Sequence, residues 1–224
     1  MTRAARLAAA AVALSIGAGC SVSVVKWDSL LGDNPSSEWR GYRRSELPSG
    51  WQMVDGALTR VAQGGDIITR ETYENFELTL EWKISPGGNS GIFFHVVEDS
   101  TLSAVYLTGP EMQVLDNAGH ADGKTPNTSA GSNFALHAPT RDMTKPVGEW
   151  NQARLLVNGP HVEHWLNGEK VVEYELWSDD WKRRVQASKF KAWPRYGMER
   201  RGHIALQDHG DWVAFRNIRI RRIK

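Results

Sequence analysis

Alternation of apolar and polar side chains with a period of two most constrains what this chain can fold into. In the clearest run, charged or hydroxyl side chains separate the apolar side chains of Phe76, Leu78, Leu80, Trp82 and Ile84. Because successive side chains of a strand point to opposite faces of a sheet, this run predicts a half-buried strand with one solvated face.

Further strands are predicted along the chain, separated by turn signals. Residues 92–97 carry apolar side chains on both faces, which predicts a central strand. Asn167-Gly168 fits a tight type I′ turn between two strands. A turn at residues 209–211 predicts that the last two strands form a hairpin. The other predicted strands cover residues 154–157, 162–166, 170–174, 203–207 and 213–220.

One helix is predicted in the second half of the chain. Ser178 can cap its first amide groups. Trp181, Val185 and Phe190 fall near one face of this helix, which should end by Pro194. About ten short strands with one short helix are typical of an all-β fold, a sandwich or jelly roll of two antiparallel sheets.

The beginning of the chain differs from the rest. Two arginines precede an unbroken run of apolar and small side chains that ends at Cys20, the only cysteine. We therefore predict that residues 1–19 are an export signal and that Cys20 is lipid-modified, as in bacterial lipoproteins; plain cleavage and secretion is the alternative. The protein would then lie in the periplasm or at the cell surface, attached to the membrane only by this lipid. Residues 20–37 are predicted to be a tether and lead-in, and residues 38–224 a single domain.

The charge balance argues against a nucleic-acid partner. The sequence contains 27 Lys and Arg residues against 26 Asp and Glu residues. No excess of positive charge is therefore available to neutralise phosphates.

Ten tryptophans could in principle offer stacking platforms for sugars. Trp82, Trp150 and Trp165, however, occupy positions where packing in the core is expected. We therefore predict that these three side chains are structural.

Three polar clusters interrupt strands that are otherwise apolar. Each cluster also has an interpretation without a functional role. The first could be an ordinary turn, the second could lie on a solvated outer face, and His209 in the third could simply be a turn residue. The clusters are Asn89-Ser90-Gly91, then Glu111, Gln113 and Asp116 in the stretch GPEMQVLD, and Gln207-Asp208-His209.

Together these clusters supply what polyol recognition and proton transfer require. Amide side chains donate and accept at once, which matches sugar hydroxyls, and a carboxyl near an apolar wall can be tuned for acid–base work. Strict alternation places Glu111 and Gln113 on one face, and a single bulge would return Asp116 to it. Without that bulge, Asp116 is a loop residue. Gly91 leaves room for a ligand or backbone to approach closely.

A metal site stays open at this level. In a strand His161 and His164 face opposite ways, so the HVEH stretch is a weak metal signature. The loop of residues 116–123 is rich in oxygen ligands but lacks the spacing of an EF-hand. A divalent cation is therefore possible, and no other cofactor is indicated.

Characteristic motifs occur in residues 64–94, 108–124, 148–176 and 202–221. These four segments closely resemble the 3-keto-disaccharide hydrolase family, formerly known as a domain of unknown function. The resemblance implies a concanavalin A-like jelly roll, bacterial export and a carbohydrate substrate. His95 and the segment Ser132-Asn133-Phe134 depart from the family pattern and could alter substrate preference.

The resemblance also implies cleavage of 3-keto-glycosides by elimination at C1–C2 followed by hydration. A conventional glycosidase that uses Glu111 and Asp116 as a carboxylate pair, and a non-catalytic carbohydrate-binding module, are the alternatives. An oxidoreductase that makes the 3-keto sugar is a possible partner. We predict catalytic roles for Glu111, His209 and Asp116, and substrate contacts from Asn89, Ser90, His95, Gln113, Lys124 and Gln207.

Overall fold

The computed structural model describes residues 26–32 and 34–223, which form two packed antiparallel sheets. The predicted export signal and Cys20 lie outside these residues. The strands are β1 (Asp28–Ser29), β2 (Trp39–Gly41), β3 (Trp51–Val54), β4 (Ala57–Arg60), β5 (Ile67–Thr69), β6 (Phe76–Ile84), β7 (Asn89–Val96), β8 (Glu111–Leu115), β9 (Asn151–Asn158), β10 (His161–Leu166), β11 (Glu169–Glu175), β12 (His203–Leu206) and β13 (Val213–Arg222). The α-helix is α1 (Asp179–Gln186), and 3-10 helices cover Pro35–Ser37, Val105–Leu107, Ala121–Lys124, Pro126–Thr128 and Lys189–Ala192.

Every strand pair is antiparallel, and the strands divide into one large and one small sheet. The eight-stranded sheet has the order β11-β10-β9-β6-β13-β4-β3, with β1 also paired to β13. The five-stranded sheet has the order β2-β5-β12-β7-β8. The predicted all-β sandwich of two antiparallel sheets with one short helix is confirmed.

The two sheets bury a core between their inner faces. Alternating side chains of β6 enter it, among them Phe76, Leu78 and Trp82. Each large apolar side chain buried in this way contributes roughly 1.5–3 kcal/mol to folding. A second, smaller apolar cluster that includes Phe93 and Ala205 lies on the opposite face of the five-stranded sheet. That opposite face carries the site described below.

Two of the three tryptophans expected in the core lie instead on the outer face of the large sheet. Trp82 is buried as predicted. Trp165 is partly exposed, and the guanidinium of Arg154 lies 4.7 Å from its ring centroid. Trp150 is covered by the guanidinium of Arg216 at 4.1 Å. Cation–π contacts on a solvated face, not core packing, hold both rings.

The two predicted hairpins have different outcomes. Asn167 and Gly168 both have positive φ, 51° and 88°, as a type I′ turn between β10 and β11 requires, so that hairpin is confirmed. The final hairpin is wrong, because β12 pairs with β5 and β7 while β13 pairs with β4 and β6. The turn at residues 209–211 therefore connects the two sheets.

The helix begins as predicted but is shorter. The Ser178 hydroxyl accepts a hydrogen bond from the Trp181 amide at 3.1 Å, and α1 ends at Gln186. Phe190 belongs to the following 3-10 helix, where its ring stacks on Tyr196 with centroids 3.8 Å apart. Tyr196 in turn stacks on Trp181. This aromatic stack fixes the segment that follows α1 next to the small sheet.

The domain begins earlier than residue 38. β1 pairs with β13, Leu30 is buried, and the indole of Trp39 donates to the Leu30 carbonyl at 2.6 Å. Part of the predicted tether therefore belongs to the fold. Among the described helices, none has the length and apolar character needed to cross a membrane.

Candidate active site

Strand alternation places Glu111 and Gln113 of β8 on the same face of the small sheet. Directly opposite residues of an antiparallel pair share a face, and Glu111 is opposite Phe93 while Gln113 is opposite Gly91. Phe93 belongs to the small apolar cluster on the face turned away from the core. Both polar side chains therefore point away from the core between the sheets, as the sequence predicts.

These side chains line a cavity of about 400 Å³, which we call the Glu111 cavity. Small-molecule sites commonly have about 300–1,000 Å³, so one sugar ring with part of a second group fits. Loops and the 3-10 segment after α1 supply the other walls. The lining residues are Asn89, Tyr106, Glu111, Gln113, Asp122, Phe134, Lys189, Phe190, Trp193, Gln207 and His209.

Gly91 makes room for the carboxyl of Glu111. A Cβ atom at position 91 would lie 2.2 Å from Glu111 Oε1. The close approach that this glycine predicts is therefore made by the protein's own carboxyl. Any larger residue there would displace Glu111.

The carboxyl of Glu111 is buried, with 7% of the residue exposed. Burial raises its pKa to about 8. The ammonium of Lys189 lowers this pKa, while the carboxylates of Asp66 and Asp122 raise it. A carboxyl with a pKa near neutrality can both take and return a proton under physiological conditions.

Amide groups next to Glu111 keep unused hydrogen-bond acceptors. Gln113 can orient its amide nitrogen to donate to the Ser90 carbonyl at 2.8 Å and to Glu111 Oε1 at 3.1 Å. Asn89 Oδ1 and Gln207 Oε1 are buried and have no donor within the described part of the chain. Buried acceptors are normally satisfied, so these two favour a ligand that brings hydroxyl donors.

Asp208 anchors the loop that carries Gln207 and His209. Its carboxylate accepts from Arg60 Nε at 2.7 Å and from the amides of Gly64 and Gly65 at 2.7 and 2.9 Å. Burial raises the pKa of Asp208, but these hydrogen bonds outweigh burial and lower it overall. Asp208 is therefore a positioning residue. His209 itself is exposed at the rim of the cavity.

Asp116 does not join Glu111. The pairing of β7 with β8 has no register shift, so the bulge that would return Asp116 to that face is absent. Asp116 Oδ2 accepts from the Gly87 amide at 2.7 Å, and Oδ1 accepts from the Ala118 amide at 3.1 Å. Asp116 is the loop residue of the alternative interpretation, and its proposed catalytic role is wrong in geometry.

Three predicted substrate contacts also lie elsewhere. Ser90 is fully buried on the core side, and its hydroxyl donates to the Gln207 carbonyl at 2.9 Å. His95 is buried beside Phe94, its Nε2 lies 2.8 Å from the Glu74 carbonyl, and burial lowers its pKa. Its φ of +53° marks a bulge in β7, which turns the side chain away from the cavity. Lys124 is exposed and is not among the residues that line the cavity.

The sequence analysis did not assign five of the lining residues to this site, although it noted Asp122 within an oxygen-rich loop. All lie in loops or 3-10 segments, where no periodicity indicates which way a side chain points. Phe134 had a partial signal, because it belongs to a segment that departs from the family pattern, and its amide donates to the Glu111 carbonyl at 3.1 Å. The five are Tyr106, Asp122, Phe134, Lys189 and Trp193.

A second cavity of about 390 Å³ lies near Asp116, Asp142 and Glu149. Burial raises the pKa of Asp142, but hydrogen bonds from Thr144 outweigh it and keep this pKa low. Glu111, whose pKa is near neutrality, lines the other cavity. For this reason the Glu111 cavity is the candidate active site, although the two cavities are nearly equal in size.

One group of side chains in the described residues has the geometry of a metal site, and it lies on the large sheet. His161, Glu163 and Glu173 have ligand atoms within 4.8 Å of one another. Lys170 Nζ already pairs with Glu163 at 3.3 Å and with Glu173 at 2.5 Å. His164 faces the interior, as its position predicts, and contacts the Gly131 carbonyl. The ammonium of Lys170 therefore already balances negative charge of these carboxylates, as a cation would.

Comparison with known proteins decides the family. The family model described as a 3-keto-alpha-glucoside-1,2-lyase-like domain matches residues 26–221. The chain belongs to this family. A 3-keto-disaccharide hydrolase from Bacteroides thetaiotaomicron is 39% identical over 213 residues, which are 82% of this chain and 73% of that protein.

Two solved structures from Parabacteroides distasonis, both assigned provisionally to the glycosyl hydrolases, extend the comparison to the fold. One is 34% identical with a TM-score of 0.80 and covers 88% of this chain and 94% of its own. The other is 26% identical with a TM-score of 0.68 and covers 88% and 100%. The predicted concanavalin A-like jelly roll is confirmed, and the family is one of carbohydrate hydrolases that cleave glycosides.

Proposed function

We propose that this enzyme cleaves 3-keto-glycosides by elimination at C1–C2 followed by hydration. The observation that carries the proposal is Glu111, a buried carboxyl whose pKa is raised to about 8, in the wall of a cavity of about 400 Å³. Its relative from Bacteroides thetaiotaomicron is named for a 3-keto-disaccharide substrate. A ketone at C3 acidifies the C2 hydrogen, so a base of moderate strength suffices.

Each step then has a group in the cavity. Glu111 as carboxylate takes the C2 proton, and the resulting enolate expels the C1 oxygen with its aglycone. Water adds to C1 of the enone, and the protonated Glu111 returns the proton to C2, which completes net hydrolysis. We assign protonation of the leaving oxygen to His209, at the rim of the cavity, which then takes back one proton from the attacking water. Asn89, Gln113 and Gln207 hold the sugar hydroxyls.

A conventional glycosidase is the second candidate, because Asp122 lines the same cavity as Glu111. Two carboxyl groups on either side of a glycosidic bond would need no ketone. In that mechanism Asp122 takes the place that the sequence analysis gave to Asp116.

A pair of glucosides that differ only at C3 tests the proposal. We expect turnover of the 3-keto-glucoside and at least about 100-fold slower turnover of the plain glucoside, because only the ketone acidifies C2. Product release and transient enone absorbance are measured with and without chelator. Turnover of the plain glucoside would favour the Glu111–Asp122 pair, and saturable binding without turnover of either would make the protein a binding module. Loss of activity with chelator would indicate a divalent cation.

This specificity requires a separate source of the 3-keto substrate. Ordinary glycosides carry a hydroxyl at C3, so an oxidoreductase must oxidise that carbon before this enzyme can act. If the plain glucoside is cleaved equally well, no such partner is needed.

The aglycone is proposed to stack on Tyr106 and Trp193. Their ring centroids lie 5.2 Å apart, and both rings line the cavity. Tyr106 is 40% exposed, so its ring is accessible to a ligand in the cavity.

Replacing Tyr106 by Ala should therefore raise KM for aryl 3-keto-glucosides about 5–30-fold, the equivalent of about 1–2 kcal/mol of stacking. The methyl 3-keto-glucoside should show a much smaller change. Trp212→Ala is the control, because Trp212 is 39% exposed but lies outside the cavity. Equal changes in KM for aryl and methyl substrates would contradict the stacking role.

A further inference from the structure

Lys189 brings a positive charge to the Glu111 cavity. It begins the 3-10 helix that follows α1, where the Ser188 hydroxyl accepts from the Phe190 amide at 3.1 Å. Its Nζ lies 4.4 Å from the ring centroid of Phe134 and 5.5 Å from that of Phe190, and both rings line the cavity. Cation–π contacts of this kind orient an ammonium without neutralising it.

This charge has no acidic partner in the structure. Within residues 26–32 and 34–223, no carboxylate oxygen lies within 4.0 Å of Lys189 Nζ. Among the described residues that line the cavity, Lys189 is also the only lysine, and there is no arginine. The next lysine along the same 3-10 helix, Lys191, is exposed and does not line the cavity.

The proposed elimination develops negative charge on one substrate atom. When the C2–H bond breaks, its proton goes to Glu111, and the electron pair forms a C2–C3 double bond while the carbonyl electrons move onto the C3 oxygen. The carbonyl then re-forms, a C1–C2 double bond appears, and the C1–O bond breaks with its electrons on the leaving oxygen. A cation at the C3 oxygen lowers the barrier to the first step.

We propose that the ammonium of Lys189 donates to the C3 oxygen of the substrate and stabilises the enolate. This inference rests on the proposed function and names the group that the elimination requires opposite the base. Lys189 keeps its proton throughout, so it acts by charge and hydrogen bonding alone. It would also explain why the cavity combines a carboxyl with an ammonium that forms no ion pair within 4.0 Å among the described residues.

Lys189 acts on the base as well. Burial raises the pKa of Glu111, and the Lys189 ammonium opposes that effect, while the carboxylates of Asp66 and Asp122 add to it. Removing Lys189 should therefore move the pH profile of proton abstraction to higher pH. A purely structural role would not move this profile.

Exchange of the C2 hydrogen with deuterium from D₂O measures proton abstraction from C2 separately from cleavage of the C1–O bond. The probe is a 3-keto sugar without a C1 leaving group, 1,5-anhydro-3-keto-glucitol, and its C2 signal is followed by NMR. We expect exchange with the wild-type enzyme, a loss of about 10²–10³-fold in Lys189→Met, and partial retention in Lys189→Arg. Lys191→Met is the matched control and should exchange at the wild-type rate.

The outcomes separate the two proposals. No exchange above the uncatalysed rate with the wild-type enzyme would overturn the elimination mechanism itself. Wild-type exchange that persists undiminished in Lys189→Met would leave the mechanism standing and overturn the role of Lys189. A loss in Lys189→Met without a shift of the pH profile and without retention in Lys189→Arg would reduce Lys189 to a structural residue.

Discussion

Replacing Glu111 by Gln is expected to lower kcat/KM for a 3-keto-glucoside by about 10²–10⁴-fold, the range that general acid–base groups supply. Gln keeps the size of the side chain and both of its polar atoms, so it fits beside Gly91. It cannot take a proton from C2. In the proposed mechanism Asn89, Gln113 and Gln207 bind the sugar, so the loss should fall on kcat.

Initial rates of product release over a range of substrate concentrations measure this effect. Glu149→Gln is the matched control, because Glu149 lines the second cavity and not the first. Its activity should equal that of the wild-type enzyme. Full activity in Glu111→Gln would remove Glu111 from the mechanism, and loss of activity only in Glu149→Gln would move the active site to the other cavity.

The wild-type rate should also depend on pH in a specified direction. Glu111 must be a carboxylate to take the C2 proton, and its pKa is raised to about 8. The rate should therefore rise as pH increases through that value, provided that Glu111 is the base. The ammonium of Lys189 lowers this pKa and the carboxylates of Asp66 and Asp122 raise it, so these charges set the pH at which the rate rises.

The second large effect of Glu111→Gln is expected on stability, without any substrate. A carboxyl whose pKa is higher in the folded than in the unfolded chain binds more protons when folded. The free energy of unfolding then falls as pH rises between the two pKa values. For Glu111 this window extends from 4.5 to about 8. The variant lacks this titration, so its stability relative to the wild type should increase across the window, on the order of 4 kcal/mol in total.

Urea unfolding of both proteins at pH 5, 7 and 9 measures the difference. Asp208→Asn is the control, and its stability difference from the wild type should stay constant from pH 5 to 9, because the pKa of Asp208 is lowered from 3.8 and its titration lies below this range. The pKa of Asp208 is lowered by its hydrogen bonds, so its carboxylate stabilises the fold above its unfolded pKa, and that stabilisation is lost as pH falls. A stability difference between Glu111→Gln and wild type that stays constant from pH 5 to 9 would mean that the pKa of Glu111 is ordinary.

Local patterns predicted the parts of the fold that depend on neighbouring residues. Alternation in β6 identified the side chains that enter the core, and Asn167-Gly168 identified its hairpin. Both signals act over a few residues, because side-chain direction in a strand and backbone conformation in a turn are local properties. The prediction of the final hairpin was wrong, because the pairing of β12 and β13 depends on partner strands that are distant in the sequence.

The candidate site shows the same division. Glu111 and Gln113 share a face because they are two residues apart in one strand. Gly91 indicated that another group approaches the backbone closely at this position, and that group is the Glu111 carboxyl. The orientation of Asp116 could not be predicted, because it depends on the path of the chain after β8, where its carboxylate accepts a hydrogen bond from the Gly87 amide. The orientation of His95 could not be predicted either, because it depends on the bulge in β7 that turns the side chain away from the cavity.

By itself, the sequence determined the class of fold, the polar face of β8 and the family of this protein, because periodicity and motifs are properties of contiguous residues. Only the tertiary structure brought Tyr106, Asp122 and Lys189 to Glu111, since each arrives on a loop whose course no repeat predicts. The pKa of Glu111 also belongs to the tertiary structure. Its shift arises from burial by those loops and from charges that are far away along the chain.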